Sequence, residues 1–191
     1  IIFAKGADEA GSYKGAVTLV YEVSQGEPAF AGFPQTFPAF FDYGLSLPPG
    51  IGAITRVADR ASLLVSAPSD VALTASLEQG GSRLDDKWVF EQRSGGRYEI
   101  EAAFPGPGKY DLIIFAKRRG DAGSYGSVVT LGYEVSAAPI PSGFAGFPKT
   151  FQSFADRDAY LYAPKQGGLS AGSSVAFKLT DPKKNYDKAM I

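Results

Sequence analysis

An internal repeat is the feature that most constrains what this chain can fold into. Residues 1–24 read IIFAKGADEAGSYKGAVTLVYEVS, and at a shift of 112 they match residues 113–136 at sixteen of 24 positions. Residues 30–40, FAGFPQTFPAF, return at 144–154 as FAGFPKTFQSF, with eight of eleven residues identical. The chain is therefore built from copies of one unit.

These matches divide the chain into three pieces. They predict the C-terminal hairpin of a first repeat at 1–24, a complete repeat at 30–136, and the N-terminal part of a further repeat at 144–191. A Pro-rich connector, AAPIPSG, joins the last two at 137–143. Because the chain begins inside a strand motif, we expect an excerpt from a longer polypeptide. Each partial piece would expose an apolar sheet face, so we predict that 1–24 packs beside 144–191, within one chain or as head-to-tail self-association.

Alternating hydrophobic residues predict that the complete repeat is a β-sandwich. Tyr110, Leu112 and Ile114, for example, would share one face of a strand. This pattern predicts seven short strands, near 44–47, 61–67, 71–77, 88–92, 98–104, 110–117 and 128–135. Such strands, joined by Gly- and Pro-rich turns, are typical of immunoglobulin-like folds. The predicted fold class is all-β, with tandem antiparallel sandwiches, one complete and two partial.

Two local features refine this prediction. The segment PGPG at 105–108 forces a tight corner ahead of Tyr110, which we expect to have a buried ring and a hydrogen-bonded hydroxyl, as in the tyrosine corner of immunoglobulin-like sandwiches. In the third piece we predict strands at 159–163 and 175–179. A short helix would follow, with Asp181 as its N-cap.

Composition excludes several function classes. The chain has no Cys and no His, so it cannot form a Cys-His or Ser-His-Asp nucleophile or a zinc site on thiolate or imidazole. A net charge of −1 argues against a nucleic-acid surface. No apolar run has the length of a membrane span. We therefore predict no catalytic residues, no cofactor, no metal site, no nucleic-acid partner and no membrane span.

Aromatic side chains are the first candidates for a binding site. Trp88 is the only tryptophan and lies close in sequence to Phe90 and Tyr98. If exposed, the three rings would form a platform for a sugar or a peptide. The alternative is that they belong to the core of the sandwich.

A second candidate surface is an interface between domains or chains. Ile113 and Phe115 point away from the face that carries Leu112, and they recur as Ile1 and Phe3. The alternative is that a loop covers them.

Acidic residues are weaker candidates. The clusters Asp85-Asp86, Asp156-Arg157-Asp158 and Asp8-Glu9 lack the spacing of a calcium loop and read as solvated turn residues. Glu99 and Glu101 lie roughly 6.5–7 Å apart on one strand face, which falls within the range of paired glycosidase carboxylates. Any exposed strand face gives the same spacing, so a carboxylate-based hydrolase is only a remote alternative.

The repeated motifs resemble a known family. The segments FPKTFQSF at 147–154, YLYAP at 160–164 and PGKYDLIIFAK at 107–117 are similar to those of kyphoscoliosis-peptidase-type accessory domains. The resemblance implies immunoglobulin-like sandwiches attached to transglutaminase-like cores whose Cys-His-Asp triad has no counterpart here. The complete repeat departs from the family pattern at 41–47, and residues 50–59 read as a variable insertion.

The resemblance implies a non-catalytic spacer or partner-binding module of a larger, secreted or cell-envelope protein. Its partners would be the adjoining domains of the same polypeptide. The alternative function is a carbohydrate- or peptide-binding module that uses exposed aromatic side chains.

Overall fold

The structure is a computed structural model that describes residues 2–4, 10–12, 14–17, 32–136, 144–168, 171–172 and 174–183. The chain divides into two compact units, Ile1–Phe30 and Ala31–Ile191. In the first unit, β1 (Ile2–Ala4) and β2 (Lys14–Val17) form an antiparallel hairpin.

The second unit contains two sheets that face each other and a third sheet of two strands. In chain order its strands and helices are β3 (Gln35–Thr36), α1 (Pro38–Asp42), β4 (Ile54–Val57), β5 (Arg60–Ser66), β6 (Val71–Gln79), β7 (Ser82–Arg83), β8 (Val89–Ser94), β9 (Arg97–Ala103), β10 (Gly108–Arg118), β11 (Gly126–Val135), α2 (Gln152–Asp156), β12 (Tyr160–Ala163) and β13 (Lys178–Thr180). One sheet has the order β3-β11-β10-β6-β7, with β4 also paired to β11, and the other has the order β5-β9-β8. A 3₁₀ turn, Asp86–Trp88, precedes β8.

The core lies between these sheets, where alternating residues meet. On β10, Tyr110, Leu112 and Ile114 are at most 3% exposed. They pack with inward residues of the opposite sheet such as Leu63 and Ile100. This arrangement confirms the predicted all-β sandwich.

The structure corrects the sequence prediction in the first part of the sandwich. The predicted strand at 44–47 is wrong, because only one isolated bridge, Ser46 to Ser66, forms there. Residues 50–59, which read as an insertion, contain β4, and this strand pairs in parallel with β11. Helix α1 was not predicted, since five residues are too few for a helical period to show.

Tyr110 forms the predicted corner. Its hydroxyl donates a hydrogen bond of 2.9 Å to the carbonyl oxygen of Gly106, and its ring is 3% exposed. The ring centroid lies 5.0 Å from that of Phe104. This confirms the expectation of a buried ring with a bonded hydroxyl.

The two hairpins have the same register. In the first unit Ile2 pairs with Val17, and a bulge follows before Phe3. At the corresponding place in the sandwich Ile114 pairs with Val129, and a bulge again follows before Phe115. In the described residues of the first hairpin, the sequence match at a shift of 112 is therefore also a match of local structure.

The second copied motif also repeats its local structure. We call residues 30–53 the first head and residues 144–167 the second head. Helix α2 follows Phe151 as α1 follows Phe37, and both preceding residues have extended backbones. The pair Tyr160 to Thr180 in the β12–β13 hairpin corresponds, at a shift of 114, to the bridge between Ser46 and Ser66.

Apolar residues that follow the second head differ in burial from their counterparts in the sandwich. Phe177 and Leu179 are 63% and 50% exposed, whereas Leu63 and Val65 at the matching positions are 2% and 0% exposed. The strands predicted at 159–163 and 175–179 are observed at 160–163 and 178–180. The helix predicted after Asp181 falls mostly outside the described residues. Asp181 Oδ1 does accept a bond of 2.8 Å from the Lys183 amide.

Replacing Tyr110 with phenylalanine tests the corner. We expect the free energy of unfolding to fall by about 1 kcal/mol, because Gly106 loses its hydrogen-bond donor while the ring keeps its packing. Tyr133→Phe is the matched control, because burial alone raises the pKa of the Tyr133 hydroxyl to about 12 and its removal should be nearly neutral. Urea unfolding of both variants measures the change in the free energy of unfolding. Equal decreases in the two variants would show that the Tyr110 hydroxyl contributes no more to stability than the Tyr133 hydroxyl.

Candidate functional site

The outer face of the three-stranded sheet is covered by another part of the same chain. On β8, Phe90 and Gln92 point away from the sandwich core, yet each is only 2% exposed. An outer face of an antiparallel sheet normally meets water. Here the second head lies over it, and we call this contact the junction.

Aromatic rings form the apolar part of the junction. Phe147 stacks on Phe90 with ring centroids 6.1 Å apart, and Phe144 meets Phe147 edge-on at 5.4 Å. Trp88 lies 5.7 Å from Phe144, and the Arg60 guanidinium lies 5.0 Å from the centre of the Phe144 ring. Phe147 is 7% exposed as a result. Burial of a phenylalanine contributes about 1.5–3 kcal/mol, so these rings are the main apolar attachment.

The backbone of the second head approaches the sheet closely. The amide of Phe147 donates a hydrogen bond of 2.8 Å to the carbonyl oxygen of Lys87. Gly146 has a φ of 123°, and a Cβ at this position would lie 2.6 Å from the Cβ of Lys87. Both observations require glycine at this position.

Polar side chains fix the position of the second head along the sheet. Gln92 Oε1 accepts a hydrogen bond of 3.0 Å from the Leu161 amide, and Gln92 Nε2 donates one of 3.2 Å to Glu99. The Tyr160 hydroxyl donates a bond of 2.7 Å to the same Glu99 carboxylate. This bond, together with burial, raises the pKa of Tyr160 to about 12.

Ion pairs surround these contacts. Lys165 Nζ lies 2.5 Å from Glu101 Oε1 and 3.9 Å from Glu99 Oε2. Arg119 pairs with Asp158 at 2.7 Å. The two glutamates that suggested a hydrolase therefore bind residues of the second head.

The structure places the predicted aromatic platform inside the protein rather than on a free surface. Phe90 lies under the second head. Tyr98 lies in the sandwich core, where it is 3% exposed, and its hydroxyl donates a hydrogen bond of 3.3 Å to the carbonyl oxygen of Val71. Trp88 is partly buried against Phe144. Ligand binding by these rings stays a prediction, and only Trp88 among them keeps accessible surface.

The predicted interface residues lie on the outer face of the larger sheet. Ile113 and Phe115 are half-buried, and they alternate with buried Leu112 and Ile114 as expected. Ile1 and the side chain of Phe3 lie outside the described residues. An interface at these positions stays a prediction.

The acidic clusters have structural partners. Asp85 Oδ1 accepts a bond of 2.9 Å from the Lys87 amide, and Asp86 pairs with Arg83 at 2.8 Å. Asp156 accepts a bond of 2.8 Å from Gln152, and Asp158 belongs to the junction. The described residues do not include Asp8 and Glu9. Among them, no group of three or more His, Cys, Asp or Glu side chains could hold a metal ion. Nor does any described helix have the length and apolar character to cross a membrane.

Glu91 is the one described carboxylate with a strongly shifted pKa. It lines a cleft of about 530 Å³ between β6, β8 and residues 147–150. Burial raises the pKa of Glu91 to about 7, with a smaller rise from Asp86 and an opposing effect from the hydrogen bond that Thr74 donates at 2.9 Å. Arg83, Lys87 and Lys149 also line the cleft.

Glu91→Gln tests the consequence for stability. Between pH 4.5 and 7 the folded chain keeps a proton that the unfolded chain has lost, so Glu91 lowers the free energy of unfolding progressively across this range. The full shift corresponds to roughly 3 kcal/mol as an upper bound. We therefore expect the variant to be more stable than the parent at pH 8 and equal to it at pH 4.

Urea unfolding at the two pH values measures this difference. Asp111→Asn, at an exposed carboxylate on β10, is the matched control and should show no such gain at pH 8. Equal stability of Glu91→Gln and its parent at pH 8 would mean that the carboxylate is not buried in the way described.

Comparison with known proteins identifies the sandwich. The model of a family described as KY-like, immunoglobulin-like domain matches residues 27–137, more than half of the chain. Kyphoscoliosis peptidases from Mus musculus and Homo sapiens are each 28% identical to this chain in an alignment of 149 residues that covers 74% of this chain and 22% of those proteins. The chain thus spans about a fifth of the length of these relatives.

Two solved structures share weak similarity with the chain. An endo-beta-1,4-mannanase from Thermotoga petrophila is 10% identical with a TM-score of 0.34, covering 49% of this chain and 19% of that one. A titin M10–obscurin-like 1 Ig complex is 18% identical with a TM-score of 0.30, covering 50% and 97%. Neither likeness bears on function. The family match and the observed sandwich confirm the resemblance found in the motifs, and the chain belongs to the KY-like, immunoglobulin-like domain family.

Proposed function

We propose that this chain is a non-catalytic structural module in which immunoglobulin-like sandwiches follow one another and are held at fixed angles by the junction. It would act as a spacer or partner-binding segment of a larger transglutaminase-like protein. The observation that carries this proposal is the second head seated on the sandwich, with Phe147 stacked on Phe90 and Lys165 paired with Glu101. Such a contact limits the relative motion of neighbouring domains.

The repeated local structures support a tandem arrangement. Both hairpins have the same register and bulge, and both heads have the same helix and bridge positions. The packing of 1–24 against 144–191 stays a prediction.

The chemistry of the chain supports the non-catalytic part of the proposal. The relatives are named as peptidases, but this chain contributes neither a cysteine nor a histidine to a nucleophile. Glu99 and Glu101, the paired carboxylates, bind Tyr160 and Lys165. A cysteine- or histidine-dependent peptidase activity of a longer protein would therefore depend on residues outside this chain.

A second candidate is binding of a carbohydrate or peptide. It is favoured by a cleft of about 640 Å³ that Tyr160, Tyr162 and Arg93 line, in which Tyr162 is 47% exposed. Stacking on an exposed ring would give affinity for a sugar or an aromatic peptide. Glycan and peptide titrations that respond to Tyr162→Ala would favour this function over the structural one.

Phe147→Ala tests the junction. Loss of the ring removes about 1.5–3 kcal/mol of apolar burial, so we expect the docked fraction of the second head to fall roughly 10- to 100-fold relative to the undocked fraction. Trp88, the only tryptophan, contacts Phe144 and reports on this change. Its fluorescence should shift to longer wavelength and become accessible to a quencher.

Phe151→Ala is the matched control, because Phe151 belongs to the second head and is 71% exposed. It should leave Trp88 fluorescence unchanged. Unfolding of the whole sandwich in Phe147→Ala would show that the second head is part of the core. An unchanged Trp88 signal would end the proposal of a ring-mediated junction.

A charge exchange tests the polar contacts. Glu101→Lys places two ammonium groups at the junction, and we expect faster hydrogen exchange in residues 144–168 than in the parent. Adding Lys165→Glu restores opposite charges and should recover most of the protection. Lys109→Glu, which acts on the distant pair with Glu134, is the control. Failure of the double variant to recover would show that the pair does not hold the head.

A further inference from the structure

One edge of the larger sheet is only partly covered. Strand β7 pairs with β6 at Glu78 and Gln79, and the Leu84 amide donates a hydrogen bond of 2.8 Å to the carbonyl oxygen of Leu77. The chain then crosses to the smaller sheet through the turn Asp86–Trp88. The part of β6 that precedes Leu77 is therefore an edge to which no described strand is added.

The register shows which backbone groups point out from this edge. Gly80 and Gly81 have positive φ values of 59° and 78°, so they form a two-residue turn in which Gln79 and Ser82 exchange both backbone hydrogen bonds. Because backbone direction alternates along a strand, the amide and carbonyl of Ala75 point to the same side as those of Gln79, away from β10. Neither group has a hydrogen-bond partner among the described residues.

This edge of β6 lies across a cleft from the edge of β8. Ala75 lines the cleft of about 530 Å³ that also contains Glu91. The Gly-Gly turn at 95–96 has the same geometry, so the backbone amide and carbonyl of Glu91 point away from β9. On the same side, the carbonyl oxygen of Lys87 already accepts a hydrogen bond of 2.8 Å from the Phe147 amide. A cleft of this size between two strand edges has room for an extended polypeptide segment.

Charged side chains around the cleft favour an acidic segment. Asp86 is paired with Arg83, and Asp85 accepts a hydrogen bond from the Lys87 amide. The ammonium groups of Lys87 and Lys149, in contrast, have no carboxylate partner in the part of the chain that the structure describes. The rim of the cleft therefore carries two positive charges that an incoming acidic side chain can pair with.

The floor of the cleft does not oppose this preference. Its carboxyl group, that of Glu91, accepts a hydrogen bond of 2.9 Å from the Thr74 hydroxyl. Burial raises the pKa of Glu91 to about 7, with a smaller rise from Asp86 and an opposing effect of Arg83. Below this pH the carboxyl is mostly neutral, so it does not repel an acidic segment.

We propose that the cleft between β6 and β8 binds an extended, acidic segment of a partner protein, which adds to β6 as a strand beside Ala75 and places carboxylates near Lys87 and Lys149. The backbone hydrogen bonds supply the attachment, and the two lysines supply the preference for acidic residues. This inference rests on the partner-binding part of the proposed function, to which it gives a site and a ligand class.

A peptide probe tests the proposal at about pH 6, where Glu91 is mostly protonated. The probe is a capped, fluorescein-labelled peptide of about seven residues, near the length of an ordinary strand, in which valine and glutamate alternate. Its counterpart has lysine in place of glutamate. We expect fluorescence anisotropy to show at least about tenfold tighter binding of the glutamate probe. In heteronuclear NMR spectra this probe should shift the amide signals of Thr74, Ala75 and Glu91.

Methylation of the probe backbone tests the strand pairing. An added strand pairs with its neighbour through every second amide. N-methyl groups on one alternating set of residues, the valines or the glutamates, should therefore weaken binding at least about tenfold, and those on the other set should have little effect. Each methylated probe is the matched control for the other. The protein itself is unchanged, so a folding defect cannot imitate the result.

A charge reversal tests the preference for acidic residues. Lys149→Glu should weaken binding of the glutamate probe at least about fivefold and strengthen binding of the lysine probe. Lys109→Glu is the matched control, because Lys109 is an exposed lysine of β10 outside the cleft. Tyr162→Ala should also leave binding unchanged, since Tyr162 lines the other cleft.

Each other result overturns the inference. No binding of the glutamate probe up to about 1 mM, equal binding of the two probes, or equal effects of the two methylation patterns would exclude an acidic added strand. Loss of binding in Tyr162→Ala would move the site to the other cleft. Self-association in sedimentation equilibrium that Ala75→Pro abolishes would make a second copy of this chain the occupant. The Trp88 measurement on Phe147→Ala uses no peptide, so these failures would leave the junction and the structural function standing.

Discussion

Within the second unit, the packing of the second head on the outer face of the three-stranded sheet is the contact on which the arrangement of the other elements depends. Phe90 and Gln92 point away from the core, yet both are nearly inaccessible because Phe147 and the Leu161 amide contact them. A sandwich alone would leave an aromatic ring and an amide in water. The sandwich and the segment that follows it thus form one packed body, in which apolar burial supplies the attachment and the polar bonds supply the register.

Much of the sandwich could be predicted from the sequence, because its signals are local. The alternation of apolar residues along β10 predicts which face of the strand is buried. The PGPG corner ahead of Tyr110 predicts that the Tyr110 hydroxyl is hydrogen-bonded, and its partner is the carbonyl oxygen of Gly106. Strand β4 escaped prediction, since its parallel pairing with β11 joins residues nearly 80 positions apart. A strand of four residues carries little periodicity, so only its distant partner defines it.

The junction was harder to predict, and the reason is physical. Glu99 and Glu101 alternate with apolar residues, a pattern that is typical of the solvent-exposed face of a strand. Their partners Tyr160 and Lys165 lie more than 60 residues away in the sequence. Phe90 looked like a core or platform residue, but it is buried by a second segment rather than by the opposite sheet. The FAGFP repeat was the one sequence signal at the site. Repetition alone does not distinguish a phenylalanine that attaches one segment to another from a phenylalanine of the sandwich core. Both must be apolar, so both recur in each copy of the repeat.

The parallel pairing of β4 with β11 bears on how the sandwich responds to mechanical load. β4 lies in the early part of the domain and β11 is its last strand, and four consecutive pairs from Gly132 with Ile54 to Val135 with Val57 join them. If a pull on the two ends of the domain reaches β4, after the two-residue antiparallel pairing of β3 with β11 has opened, the two parallel strands slide past each other lengthwise. In this shearing geometry the force acts on all four residue pairs between β4 and β11 at once, whereas in a peeling geometry the pairs would open one after another.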